Sequence, residues 1–180
     1  MLDSKNTALV IIDVQGKLAR IMQNADDLFK NLAMLIKGAR LLEVPIIWME
    51  QLPEKLGPTV KEVSEYLQGL SPITKDVFSC WHNAEFKARL KEINPERVFL
   101  AGIETHICVY QTALDLLEEG EYDVEVVADA TSTRLPYNKE IGLKKICDYG
   151  GEITSVETFL FEVQGKASGD KFKKLIDIIK

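Results

Sequence analysis

The sequence predicts an α/β protein whose parallel β-sheet lies between two layers of helices. Three observations support this class. Short apolar runs alternate with longer amphipathic stretches, as in folds built from repeated strand–helix units. The apolar runs are continuous, as expected of strands buried on both faces. The chain has 180 residues, the usual size of one domain, so we expect residues 1–180 to form a single domain.

Six segments are predicted to be strands, and the stretches between them carry apolar residues at helical spacing. The predicted strands are residues 8–12, 45–49, 73–79, 98–101, 124–128 and 153–156. The predicted helical stretches are residues 28–42, 59–67, 86–93, 110–117, 143–147 and 172–179. Asn83 is a plausible N-cap and Gly120 a plausible stop for two of these helices.

Composition narrows the function classes. The formal net charge is −6 and no basic block occurs, which argues against a nucleic-acid partner. No apolar run approaches the ~20 residues of a membrane span, and the first residues do not resemble a signal peptide. The three cysteines, at positions 80, 108 and 147, do not form a disulfide or zinc pattern. We therefore expect a cytoplasmic protein with free thiols.

Reactive side chains occur where predicted strands end. Asp13 directly follows the first strand, Lys75 lies in the third strand region, and Cys108 falls in the first turn of the helix after the fourth strand. Ligands of parallel α/β folds bind at the carboxyl ends of the strands. These three side chains are therefore candidates for one site, although a free cysteine is often simply buried in a core.

The three residue types suit covalent catalysis. A thiol at a helix N-terminus, with a lysine nearby, is expected to have a lowered pKa. A neighbouring carboxylate can move protons, and free backbone N–H groups at the helix start can bind an oxyanion.

Several segments carry a resemblance to a known family. Residues 9–15, LVIIDVQ, look like the opening strand and catalytic aspartate of isochorismatase-like cysteine hydrolases. Residues 101–109, AGIETHICV, resemble the nucleophile segment Gly-x-x-Thr-x-x-Cys-Val of that family, and Thr74-Lys75 matches the position of its lysine. The stretches around residues 50–60 and 129–134 are similar to the isochorismatase domain-containing proteins. The resemblance covers about residues 5–160.

The resemblance implies a three-layer α/β/α fold of Rossmann-like, isochorismatase type with a six-stranded parallel sheet. It implies a catalytic triad of Asp13, Lys75 and Cys108. It further implies a cis peptide bond between Ile103 and Glu104 and an oxyanion hole formed by the backbone N–H groups of Glu104 and Cys108. The activity implied is hydrolysis of a small amide or related acyl substrate through a thioester on Cys108.

The sequence departs from two branches of the superfamily. True isochorismatases cleave a vinyl ether and lack the cysteine nucleophile that Cys108 would supply here. Nicotinamidases bind a metal through an Asp-x-His pair and a further histidine, but this chain has only His82 and His106 and none in residues 50–58. We therefore expect neither a metal nor another cofactor, and a nicotinamidase-like amidase remains a secondary alternative.

Three further residues are candidates for lining the pocket. Gln15 matches the Asp-x-Gln of the family but can equally serve a local turn. Trp81 can form a pocket wall or belong to the core. His106, two residues before Cys108, can face the pocket or pack locally.

The competing function is a catalytically weak scaffold that binds a protein partner. A small-molecule substrate is favoured because all three candidate triad residues are present. The resemblance also implies a homo-oligomer, for which Phe159, Leu160 and Phe161 provide a candidate apolar face.

Overall fold

The computed structural model describes residues 2–180, which contain a six-stranded sheet whose pairings are all parallel. The strands are β1 (Thr7–Ile12), β2 (Ile46–Gln51), β3 (Ile73–Lys75), β4 (Arg97–Ile103), β5 (Asp123–Ser132) and β6 (Glu152–Thr154). They lie in the order β3-β2-β1-β4-β5-β6. The chain therefore builds outward from β1 on one side and from β4 on the other, which places a crevice at the carboxyl ends of these two strands.

Helices cover both faces of this sheet. They are α1 (Gly16–Arg20), α2 (Ala25–Leu41), α3 (Pro53–Leu56), α4 (Lys61–Ser64), α5 (Ala84–Ile93), α6 (Tyr110–Glu119), α7 (Pro136–Asp148), α8 (Val156–Gln164) and α9 (Asp170–Ile179). Apolar residues of α2, α8 and α9 pack on one face, and those of α5, α6 and α7 on the other. The predicted three-layer, Rossmann-like α/β/α fold is confirmed. Within residues 2–180, no helix has the length and apolarity to cross a membrane.

The burial of β1 shows why its sequence is continuously apolar. Leu9 and Ile11 pack against one helical layer, whereas Ala8, Val10 and Ile12 pack against the other, and all five are fully buried. Successive side chains of a strand point to opposite faces. A strand between two helical layers therefore needs apolar residues at every position. Full burial of each larger side chain stabilises the fold by roughly 1.5–3 kcal/mol.

β3 is shorter than the sequence predicts. The strand expected over residues 73–79 ends at Lys75 because the chain bends back toward the lysine side chain. Lys75 Nζ donates hydrogen bonds to the carbonyl oxygens of Val77 (3.0 Å) and Phe78 (3.2 Å). These carbonyls point at the ammonium group instead of a neighbouring strand. The early end of β3 thus allows the following residues to hold the Lys75 side chain in position.

The segment after β6 forms a helix that the sequence pattern does not indicate. Ser155 caps α8 by accepting a hydrogen bond from the backbone N–H of Thr158, so β6 ends earlier than predicted. Phe159 and Leu160 are fully buried in the core of the chain, while Phe161 is partly exposed. The expectation that all three residues offer a face to a second subunit is therefore wrong for Phe159 and Leu160.

Candidate active site

Polar side chains meet at the carboxyl ends of neighbouring strands. Asp13 follows β1, Gln51 ends β2, Lys75 ends β3, and Cys108 lies in the turn after β4. Because these four strands are adjacent in the sheet, their ends bring residues that are distant in sequence to one location. All four side chains are buried or nearly so.

The structure brings Asp13, Lys75 and Cys108 together. Lys75 Nζ lies 2.7 Å from Asp13 Oδ2 and 3.7 Å from Cys108 Sγ. The Lys75 and Asp13 side chains are only 0% and 3% exposed. The second carboxylate oxygen, Asp13 Oδ1, is buried and has no hydrogen-bond partner among residues 2–180. One oxygen of Asp13 thus holds the ammonium, and the other remains available as a proton acceptor.

The backbone at Asp13 adopts a conformation that few residues favour. Its φ is +53°, in the left-handed region, where aspartate is better tolerated than most non-glycine residues. The Asp13 N–H donates to Met49 O (3.2 Å), and its carbonyl accepts from Gln15 N (2.8 Å). These bonds hold the residue at the top of the sheet. Backbone strain of this kind is concentrated at functional sites.

Cys108 lies in a π-helical turn, Thr105–Val109, that leads directly into α6. The start of this turn is tied to β5 because Thr105 Oγ1 donates to Ser132 O (3.0 Å). Thr131 Oγ1 in turn donates to Gly102 O (2.7 Å) on β4. Single π-helical turns often occur at functional sites. The predicted position of the thiol in the first helical turn is confirmed.

Close packing of β4 on β1 sets the distance between the two halves of the site. Gly102 has a φ of +110°. A Cβ atom added to it would lie 2.1 Å from Ile12 O, immediately before Asp13. Only glycine fits this position, because it lacks a Cβ and tolerates a positive φ. The peptide bond that follows Ile103, at the end of β4, is cis in the structure.

Burial dominates the protonation equilibria of the site. It raises the pKa of Asp13, and the attraction of Lys75 offsets only part of this effect. Burial is the largest single influence on Lys75 and lowers its pKa, but the charges of Asp13, Cys80 and Cys108 and the hydrogen bond to Asp13 together outweigh it, so the net pKa is raised. Burial, followed by the charge of Asp13, raises the pKa of the Cys108 thiol despite the nearby ammonium. The expectation of a lowered thiol pKa is therefore wrong for this structure.

A cavity of about 120 Å³ opens above these groups. Its lining consists of Asp13, Leu18, Gln51, Leu56, Phe78, Ile103, Glu104, Ile107 and Cys108. Five of these residues are apolar, and Phe78 is 56% exposed at the rim. The cavity therefore presents a thiol and a carboxylate to a small molecule whose remaining surface is apolar.

Glu104 lines the same cavity, and its carboxylate is fixed by the β5–α7 connection. Arg134 donates to this carboxylate from its backbone N–H and from Nε, both at 3.0 Å. The Glu104 side chain is 5% exposed, whereas that of Arg134 is 53% exposed. The side-chain bonds hold the backbone of Glu104 in place beside Cys108.

The three residues proposed as pocket lining have other surroundings. Gln15 is fully buried, accepts from Gln51 N (2.6 Å) and donates to Gln51 O (3.0 Å), so it fixes the end of β2. Trp81 packs in the core and donates from Nε1 to Glu119 (2.7 Å). His106 Nε2 lies 3.3 Å from Asn138 Nδ2. None of the three is among the residues that line this cavity, and their contacts agree with the structural alternatives that the sequence left open for them.

Gln51 is the site residue that the sequence interpretation missed. Its Oε1 accepts a hydrogen bond from Lys75 Nζ at 2.6 Å, and the residue lines the cavity. The same signal that singled out Asp13 applies to it, because it is a polar residue at the end of a buried strand. Its backbone is held at both N–H and C=O by Gln15.

The donor set of the site does not suit a metal ion. Among residues 2–180, no three His, Cys, Asp or Glu side chains are grouped as metal ligands. The Asp13 carboxylate is paired with an ammonium group, which competes with any cation for the same oxygens. The residues present do not fit the metal site of the nicotinamidase branch.

Comparison with known proteins places the chain in a family. The isochorismatase domain model matches residues 7–158. The secreted isochorismatase effector Isc1 of Phytophthora sojae (strain P6497) is 36% identical over 180 residues, covering 97% of this chain and 85% of that protein. Isochorismatase domain-containing protein 2 of Xenopus laevis is 36% identical over 179 residues, covering 99% and 85%.

The fold agrees with these matches. The solved structure of MAR1 ribonuclease from Caenorhabditis elegans superposes with a TM-score of 0.91 and 34% sequence identity, covering 99% of this chain and 91% of that chain. The chain therefore belongs to the isochorismatase-like hydrolase family, in the group of the isochorismatase domain-containing proteins.

Proposed function

We propose that this protein is a cysteine hydrolase that cleaves a small amide or related acyl compound through a thioester on Cys108. One observation carries the proposal. The Cys108 thiol and the Asp13 carboxylate share the Lys75 ammonium at the floor of a cavity that admits a small molecule. A nucleophile, a base and a fixed positive charge are the components that covalent acyl transfer requires.

In the first half-reaction, Asp13 accepts the thiol proton and Cys108 Sγ attacks the carbonyl carbon. The C=O electron pair moves to oxygen, and the backbone N–H groups of Glu104 and Cys108 are the proposed donors to this oxyanion. The C–N bond then breaks, and Asp13 gives its proton to the departing nitrogen. The products are an amine or ammonia and a thioester on Cys108.

In the second half-reaction, Asp13 removes a proton from water while the water oxygen attacks the thioester carbon. The C–S bond breaks, the proton passes from Asp13 to sulfur, and the acid leaves. Lys75 keeps its proton throughout. Its ammonium stabilises the developing thiolate and holds Asp13 in position, which explains why a lysine with a raised pKa suits this place.

The relative from C. elegans is named as a ribonuclease, and RNA cleavage is the second candidate activity. The cavity of about 120 Å³ is small and largely apolar, and the chain carries a net charge of −6. Both properties oppose binding of a polyanion. We expect no cleavage of a labelled single-stranded RNA at low salt, and specific cleavage that requires Cys108 would replace the amidase proposal.

The experiment for the proposed function is a panel of amides, ureides and acyl compounds monitored by intact mass spectrometry. A substrate that acylates Cys108 adds the mass of its acyl group, and the adduct disappears as acid is released. Cys108→Ser is the matched control and should show no thioester. Absence of adduct and turnover across the panel, together with capture of a protein partner, would support the scaffold alternative.

Cellular location and oligomeric assembly are also part of what we propose. We propose a cytoplasmic location, because free thiols remain reduced there. The P. sojae relative, in contrast, is named as secreted. We also propose that residues 1–180 form a single domain and that the protein assembles into a homo-oligomer.

A further inference from the structure

The Lys75 ammonium at the cavity has all of its hydrogen-bonding protons engaged by protein oxygens. Lys75 Nζ has three protons, and four oxygen atoms lie within 3.2 Å of it. These are Asp13 Oδ2, Gln51 Oε1 and the carbonyl oxygens of Val77 and Phe78. No ammonium proton is left for an anionic group of a bound molecule.

The other charged groups at the cavity are carboxylates. Asp13 and Glu104 both belong to the lining, and the Glu104 carboxylate is held by Arg134, which is not itself a lining residue. A negative charge on a bound molecule would enter a small space beside two buried carboxylates, and no cationic side chain is among the residues that line it. Burying an unpaired charge is strongly unfavourable.

The walls offer little compensation to a charged group. Leu18, Leu56, Phe78, Ile103 and Ile107 provide aliphatic and aromatic surface. Apolar walls favour a substrate whose acyl group is a short hydrocarbon.

Gln51 supplies an uncharged donor to this cavity. Lysine only donates, so the atom that faces Lys75 Nζ must be the amide oxygen of Gln51. The Nε2 protons therefore point elsewhere, and Nε2 has no hydrogen-bond acceptor within residues 2–180. Nε2 is also not among the fully buried, unpaired polar atoms, and Gln51 belongs to the cavity lining, so Nε2 is the donor that we assign to the cavity. One neutral amide can orient a polar group but does not repay the desolvation of a carboxylate.

We propose that the cavity selects uncharged, short-chain aliphatic amides and rejects molecules of the same size that carry a carboxylate. This inference rests on the proposed function and narrows its substrate class. Gln51 Nε2 donates to an oxygen of the neutral substrate, while the apolar walls hold its acyl chain.

The primary test needs no turnover, because iodoacetamide and iodoacetate form a neutral and anionic pair of similar size. Both alkylate a thiolate with loss of iodide. Their rates are measured by peptide mass spectrometry at Cys108 and at the exposed Cys147 of the same chain, which reports their intrinsic reactivities. We expect the preference for iodoacetamide to be at least about 100-fold greater at Cys108 than at Cys147. Equal preferences, or no reaction of iodoacetamide with Cys108, would overturn the inference.

A charge variant sharpens this test. Leu56 is a partly exposed wall residue, so Leu56→Arg adds a cation with little disturbance of the core. Leu56→Gln is the matched uncharged control. We expect Leu56→Arg to reduce the preference for iodoacetamide and Leu56→Gln to keep it. The same loss in both variants would show that charge is not the cause.

Substrate assays separate this inference from the proposed function. Butyramide, succinamide and succinamate span an apolar, a neutral polar and an anionic acyl group. Turnover of succinamate as fast as butyramide would overturn the charge selection while supporting the hydrolase. Failure of all three amides, with the alkylation preference intact, would count against the hydrolase and leave the selectivity of the cavity standing.

Discussion

Lys75 Nζ lies 2.7 Å from Asp13 Oδ2, and both side chains are buried. Removing one member of a buried ion pair leaves an uncompensated charge and costs about 3–5 kcal/mol. We expect Lys75→Met to lower the free energy of unfolding by about this amount and to abolish hydrolysis. Chemical denaturation and a kinetic assay measure the two effects.

The double variant Asp13→Asn/Lys75→Met is the control for this prediction. With both charges removed, it should be more stable than Lys75→Met while remaining inactive. A double variant as unstable as the single one would show that lost packing, and not the unpaired carboxylate, causes the loss.

Cys108→Ser should reduce turnover by at least about 10⁴-fold, because a serine hydroxyl is far less acidic than a thiol. The two side chains have similar shapes, so the melting temperature should remain nearly unchanged. Cys147→Ser, at an exposed position, should retain most activity. If Cys108→Ser retained turnover, the thioester mechanism would be wrong.

The acid limb of the pH–rate profile should report Asp13. Asp13 acts as a base only when ionised, so activity is present above its pKa and is lost as the pH falls through it. Burial raises this pKa from its ordinary value of 3.8, which moves the limb toward neutral pH. Glu50 also raises the pKa of Asp13. Glu50→Gln should therefore shift the limb to lower pH, whereas an unchanged limb would assign it to another group.

Glu50→Gln is suited to this comparison because it changes charge more than structure. Glu50 Oε1 accepts hydrogen bonds from the backbone N–H and the hydroxyl of Thr59, both at 2.7 Å. A glutamine oxygen can accept the same bonds. The melting temperature of the variant checks that the Thr59 contacts survive.

Activity should be insensitive to chelators, since the chemistry proposed here runs through Cys108, Asp13 and Lys75. Metal content and rate are measured before and after treatment with EDTA. Loss of activity that zinc restores would show that a metal has a catalytic role.

We expect the protein to be a homo-oligomer. Phe159 and Leu160 no longer support this prediction, because both are buried in the core of their own chain. Exposed apolar side chains remain at Leu135 and Tyr137, near the start of α7. Sedimentation at micromolar concentration should give particles larger than the 20.3 kDa chain. Sedimentation as the single chain would contradict the prediction.

The sequence was sufficient to predict the layers of the fold. Apolar runs such as Ala8–Ile12 have no exposed face, so they fit only between two layers of helices. The placement of Asp13 at the ligand-binding edge also followed from the sequence, because it comes directly after a buried parallel strand. Lys75 was expected inside a strand over residues 73–79, and the early end of β3 brings it to the same edge.

The tertiary structure decided the hydrogen-bond partners and pKa values of individual side chains, because these depend on residues that are distant in the sequence. Gln51 gained its role from Lys75, and the buried thiol of Cys108 has a raised pKa where the local pattern indicated a lowered one. Trp81 lies in the core, where it donates a hydrogen bond to Glu119 and packs edge-on against Tyr122. Local sequence determines which strands form and where they end, whereas hydrogen-bond partners, desolvation and cavity shape arise only when distant segments pack together.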